Sequence, residues 1–133
     1  MNFDIILKSL DIILEENLWP DKKPSECLRI LMYVHNKGFL YTPKIDGEIS
    51  AILCAYKIKD ITNVSLTKLP EEDGGKILYV PFVVSLKKDI NLFHIIRESC
   101  KMYLESNPEI EEIVLEDKNN KIKKYKLKTL QGV

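Results

Sequence analysis

Phe3, Ile6, Leu7, Leu10, Ile13, Leu14 and Leu18 recur at the three- and four-residue spacing of an amphipathic helix. The spacing predicts an N-terminal helix within residues 1–19, ended at Trp19-Pro20 because a residue before proline is pushed out of the helical region. A second helix is expected over residues 23–36, capped by Asp21 or Ser25. Its buried face would be Cys27, Leu28, Leu31, Met32 and His35, and Gly38 would stop it. Two β-rich runs, 39–45 and 48–58, flank Asp46-Gly47. That pair between apolar runs signals a two-residue hairpin, whose turn needs positive φ at both positions. Residues 59–75, with Pro70 and Gly74-Gly75, read as a loop.

The run KILYVPFVVS (76–85) is almost continuously apolar, as suits a strand covered on both faces, yet Pro81 interrupts it and marks a bulge or an edge. Asp89 or Asn91 opens a third helix with Leu92, Ile95, Ile96, Ser99, Cys100, Tyr103 and Leu104 on one face, closed by Asn107-Pro108. EIVLE (112–116) is a short strand. The β-α-β order makes the two flanking strands parallel, with a right-handed crossover. Residues 118–133 fit either a strand through Tyr125, Leu127 and Thr129 or a short helix through Ile122, Tyr125 and Thr129, and the pattern favours the strand. These elements predict an α/β (α+β) fold with a mixed, mostly antiparallel sheet of five or six strands flanked by helices. The order is α-α-β-β-β-α-β, with a final β if the last segment is a strand.

At 133 residues the chain is the length of one domain, expected to run from 1 to 133. Twenty basic residues balance twenty acidic ones, so any electrostatic function must be local. Lysines 118, 121, 123, 124, 126 and 128 crowd the C-terminal stretch. Arginine, the residue favoured for bidentate phosphate and guanine contacts, is nearly absent, which argues against a nucleic-acid reader and for a solvated, lysine-protected edge. No apolar run approaches the ~20 residues needed to span a bilayer. The N-terminal stretch carries Asp4 and Asp11 where a signal peptide needs an uninterrupted apolar core. Three widely spaced cysteines, with no CxxC pair, fit a reducing compartment. A cytoplasmic chain is the expectation.

The order of elements resembles the GNAT N-acetyltransferase superfamily over roughly residues 20–117. FLYTPKIDGEISAILCAYKI is similar to the family's central hairpin, KILYVPFVVS to its pantetheine-binding strand, and INLFHIIRESCKMYLESNPEIEEIVLE to the helix and strand that follow. The resemblance implies a bulged strand that splays from its parallel neighbour, with an acyl-CoA arm in the gap. Backbone around Val80 to Val84, Val83 and Val84 in particular, would hold pantetheine. Lys87, Lys88 and Asn91 would meet the phosphates. Tyr125 would be the acid that protonates the leaving thiolate.

The segment departs from the family pattern where the cofactor's diphosphate would bind. Residues 85–92 (SLKKDINL) contain no glycine, and Asp89 would occupy and repel at the helix-terminal donors that a phosphate needs. The strand 76–85 offers no Glu, Asp or His as a base, only Tyr79. His35 and His94 lack ligating partners at helical spacing, and Cys27, Cys54 and Cys100 read as small buried hydrophobes. Two readings follow. The first is a catalytically silent GNAT-like domain without a cofactor, acting through protein contact or as a homodimer joined by sheet edges. The second is an N-acyltransferase that moves an acyl group from acetyl-CoA or another acyl-CoA to an amine.

Overall fold

The computed structural model describes residues 3–59, 75–88, 91–116 and 122–126, with the side chains of Ile122, Tyr125 and Lys126 outside the description. The expected loop at 59–75 lies largely outside the described residues, as does Asp89. Helix α1 (Phe3–Glu15) stops earlier than the Trp19-Pro20 signal suggests. Asn17 adopts a left-handed conformation (φ 51°). The Leu18 amide then returns to the Ile13 carbonyl at 2.9 Å and the Asn17 amide to Leu14 at 3.3 Å. This pair of bonds satisfies the terminal carbonyls and ends the helix without the proline.

Helix α2 (Pro24–Lys37) is capped at Lys23, not at Asp21 or Ser25. Pro24, which has no amide to leave unpaired, takes the first helical position, and Glu26 reaches back to the Lys23 amide at 3.5 Å. Its buried face is Cys27, Ile30, Leu31 and Val34. Leu28, Met32 and His35 are only half-buried, because α1 and the sheet meet the helix on a stripe rotated from the expected one. Gly38 does close α2, but with φ at −130° its value is space. A Cβ there would lie 2.2 Å from the Ala55 carbonyl oxygen.

A five-stranded sheet runs in the order β1 (Phe39–Tyr41), β4 (Ala51–Ile58), β5 (Ile77–Ser85), β6 (Glu112–Glu116), β7 (Ile122–Lys126). All its pairings are antiparallel except β5–β6, the pair spanned by α3 (Leu92–Ser106). The fold is therefore α+β with a mixed sheet. The Asp46-Gly47 turn has the expected positive φ at both residues (55° and 81°). Its arms, however, are not one long hairpin. β2 (Lys44–Ile45) and β3 (Glu48–Ile49) form a separate two-stranded sheet. Between the registers Tyr41↔Leu53 and Lys44↔Ile49, residues 42–43 face residues 50–52, so one extra residue bends the hairpin away from the main sheet. Ser50 holds the bend, its amide and its hydroxyl both donating to the Pro43 carbonyl at 2.8 and 3.0 Å.

The sheet separates two cores. One packs Ile6, Ile13, Ile30, Leu31 and Val34 of α1 and α2 on Ile52, Cys54, Tyr56 and Tyr79; the other packs Ile95 and Cys100 of α3 on Ala51, Leu53, Ala55, Leu78 and Val80. Small residues at 51 and 55 let α3 approach β4. The last segment is a strand over Ile122–Lys126, as its pattern favours. No described helix is long and apolar enough to cross a membrane.

Two glycine substitutions separate space from backbone strain. Gly38→Ala forces a methyl group against fixed backbone and is expected to cost about 1–3 kcal/mol or more. Gly47→Ala meets nothing within 4 Å and carries only the left-handed penalty, about 1–2 kcal/mol. Urea midpoints of the two variants read both costs, with the larger loss expected for Gly38→Ala.

Candidate functional site

The chemistry-bearing residues gather around the middle of β5, near the last described pair with β6. On the β4 side, the register runs Cys54↔Phe82 and then Tyr56↔Tyr79, so Ala55 alone faces Val80 and Pro81. This is a β-bulge, located at the proline that the sequence marks. It reverses the in–out alternation of β5. Tyr79, Phe82 and Val84 share the α1/α2 face, whereas Leu78, Val80 and Val83 share the α3 face. On the other side, the parallel ladder ends at Val80↔Leu115, while β5 continues to Ser85 bonded to β4 alone among the described strands. Burial follows this geometry: Leu78, Tyr79 and Val80 are buried, and 81–85 are half-buried.

The Tyr79 hydroxyl donates to the Glu116 carboxylate, tying β5 to the end of β6. Tyr79 meets Tyr56 edge-on at 5.4 Å between centroids, and Tyr56 meets Tyr33 edge-on at 5.6 Å. Burial raises both the Tyr56 and Tyr79 phenols above their ordinary pKa, and for Tyr79 the hydrogen bond to Glu116 adds to the rise. Glu116 is the acid–base candidate that sequence reasoning passes over. It sits one residue beyond the apolar core of EIVLE, and only the parallel register places it next to Tyr79.

The residues expected to serve a cofactor are dispersed. Val84 lines a groove of about 740 Å³ between α1, the β2–β3 hairpin and the end of β5, and Lys87 lines it too. Lys87 is paired with Glu48 of the hairpin at 3.4 Å. Val83 faces the opposite side of the sheet, and Lys88 is exposed. Asn91 is the N-cap of α3, its side-chain oxygen accepting from the Phe93 amide at 2.8 Å. Tyr125 pairs through its backbone with Ile113, whose other neighbour is Leu78. Six strand residues separate that level from Val84, about 20 Å, so the backbone does not bring Tyr125 to the groove. On the same face as the Tyr79–Glu116 pair, Trp19 meets Phe82 edge-on at 5.1 Å between centroids.

The three thiols are buried away from solvent. Cys27, Cys54 and Cys100 are buried free thiols, and burial pushes Cys54 to about 12 and Cys100 to about 11, so neither is a thiolate at neutral pH. No cluster of metal-ligating side chains occurs among the described residues. No protein-family model matches the chain, and no curated protein or solved structure matches it.

The Tyr79–Glu116 contact is testable by stability. Tyr79→Phe removes a hydrogen bond to a charged group and is expected to cost about 1.5–3 kcal/mol in urea denaturation. A phenol whose folded-state pKa is raised contributes stability that is complete below its unfolded value of about 10 and is lost as pH rises through the folded value. Stability of the parent chain should thus be insensitive to these groups up to about pH 9 and fall above about pH 10. The Tyr79→Phe chain should show a shallower alkaline fall, measured as urea midpoint against pH.

Proposed function

We propose that this chain is a GNAT-like domain that does not use an acyl-CoA and works by binding another protein. The observation that carries the reading is the first turn of α3. A diphosphate at a helix N-terminus needs free backbone amides. Here the Asn91 side chain already holds the Phe93 amide, and the turn beside it presents Leu92 and Phe93, 43% and 48% exposed. Exposed apolar side chains at that position suit a protein surface better than a doubly charged phosphate group. Of the two described lysines that follow β5, Lys87 is paired with Glu48. The GNAT likeness itself draws support from the parallel β5–β6 pair joined through α3 and from the bulge at Val80–Pro81.

The partner on this reading is a different chain rather than a second copy joined at the sheet edges. β1 has three residues, and β7 presents exposed Lys123 and Lys124, which would repel their counterparts across a twofold β7–β7 pairing.

Acyl transfer is the second reading, favoured by the bulge in β5 together with the Glu116 carboxylate beside Tyr79. Thermal denaturation with increasing acetyl-CoA separates the two. The melting temperature is expected to stay constant up to millimolar ligand. A saturable rise, as mass action demands of a ligand bound to the native state, would overturn the silent reading. In that event Glu116→Gln should lower turnover by roughly 10²–10⁴-fold, the usual worth of a general base.

A further inference from the structure

Helix α1 carries more apolar surface than its place in the fold consumes. Ile6, Ser9 and Ile13 are buried and form its core-facing line. Phe3, Leu7, Leu10 and Leu14 follow a second line along the same helix, with the four-three-four spacing of a coiled-coil seam. Leu10 is half-buried, whereas Phe3, Leu7 and Leu14 are 51%, 51% and 41% exposed. Three of the seven exposed large hydrophobics among the described residues thus stand on this one stripe. A surface helix needs a single apolar stripe to face its core. A second one, turned to solvent and bordered by charge, is the kind of patch that marks an interaction site.

The charges beside the stripe select its occupant. Asp11 lies four residues after Leu7 and three before Leu14, so it borders both on the helix surface, and Glu15 follows one turn further. Lys8, the one basic residue of α1, is spent on Asp4 at 3.1 Å. Asp11 and Glu15 are exposed and enter no ion pair or side-chain hydrogen bond among the described residues. A second copy would bring acidic flank against acidic flank. An anionic lipid surface would be repelled by the same carboxylates. A helix whose apolar stripe is bordered by lysine or arginine answers both features at once.

We propose that the Phe3–Leu7–Leu14 stripe of α1 docks a basic amphipathic helix of a partner protein. The partner's apolar residues pack along the stripe, helix on helix, and its cations meet Asp11 and Glu15. The inference rests on the protein-binding reading and adds the surface and the kind of partner.

The probe is a fluorescent peptide of about fifteen residues, the length at which a helix begins to form in isolation. It has leucines at alternating four- and three-residue spacing, lysines bordering them and alanines elsewhere. Its controls are the counterpart with glutamate for lysine and a scrambled peptide of the same composition, which breaks the stripe. The full chain should bind the parent peptide saturably and both controls at least tenfold more weakly. Leu7→Gln with Leu14→Gln should weaken binding at least tenfold while leaving the urea midpoint in place, since both side chains are exposed. Asp11→Lys with Glu15→Lys should turn the preference toward the glutamate peptide. Hydrogen exchange in α1 should slow when the peptide is bound.

Absence of saturable binding at millimolar peptide, or binding indifferent to the Leu7 and Leu14 replacements, overturns the proposal. So does a dimer in sedimentation that those replacements dissolve, which would give the stripe to a second copy. Flotation of the chain with phosphatidylcholine–phosphatidylserine vesicles would give it to lipid and overturn the proposal as well. Any of these results with acetyl-CoA silent removes this surface and leaves the protein-binding reading standing. A melting-temperature rise with acetyl-CoA removes that reading, and the inference that rests on it.

Discussion

Proline has no amide hydrogen, so a strand carrying Pro81 between two neighbours must give up a ladder bond at that residue. The sheet absorbs the loss by setting Val80 and Pro81 together against Ala55. Three features depend on this one extra residue. The in–out alternation reverses, so that Tyr79 and Phe82, three apart, both enter the α1/α2 core, and Val80 and Val83 both face α3. The local right-handed twist of the strand increases at the bulge. With Phe82 on the α1/α2 face, its ring meets Trp19 edge-on at 5.1 Å. Without the bulge the run from Ile77 to Ser85 would place Phe82 and Val84 on the α3 side.

The two ends of β5 consequently differ in chemistry. At its start the strand is buried on both faces, flanked on both edges and locked by the Tyr79 hydroxyl on Glu116. At its end, among the described strands, it pairs with β4 alone and runs into Lys87 and Lys88. At the start of α3 the Asn91 side chain accepts from the Phe93 amide, and apolar Leu92 and Phe93 stand exposed beside it. Each amide taken by a cap is one fewer donor at a helix N-terminus, so a neutral cap bears on anion binding there as the missing glycines do.

Local signals made much of the fold legible. Asp46-Gly47 fixed a turn that only positive φ satisfies, and the apolar spacing of 92–104 and the compact EIVLE run placed α3 and β6 to within a residue. Pro81 announced the bulge. What remained hidden depends on distant partners. The early stop of α1 comes from Asn17 in a left-handed conformation, a local motif masked by the louder Trp19-Pro20 signal. The buried stripe of α2 could be read in more than one rotation, because leucine, isoleucine and methionine occur almost all round it. The break of the long hairpin at Ser50 needs the pairing register, which composition does not contain. Of the candidate site, Val84 and Lys87 were found together on one groove. Glu116 was invisible because its role exists only through the parallel pairing that sets it beside Tyr79.

An unpaired strand edge is a hazard that folded chains suppress, and this chain suppresses its outer edges. β1 is cut to three residues and β7 carries exposed lysines. Between these edges β5 is the interior strand on which both cores meet: it pairs with β4 along Ile77–Ser85 and with β6 along Ile77–Val80, and the Tyr79 hydroxyl on Glu116 ties its buried start to the end of β6. A proline is tolerated in so central a strand only because the bulge places Val80 and Pro81 together against Ala55, so the unpaired position is absorbed within the sheet and not displayed at its rim.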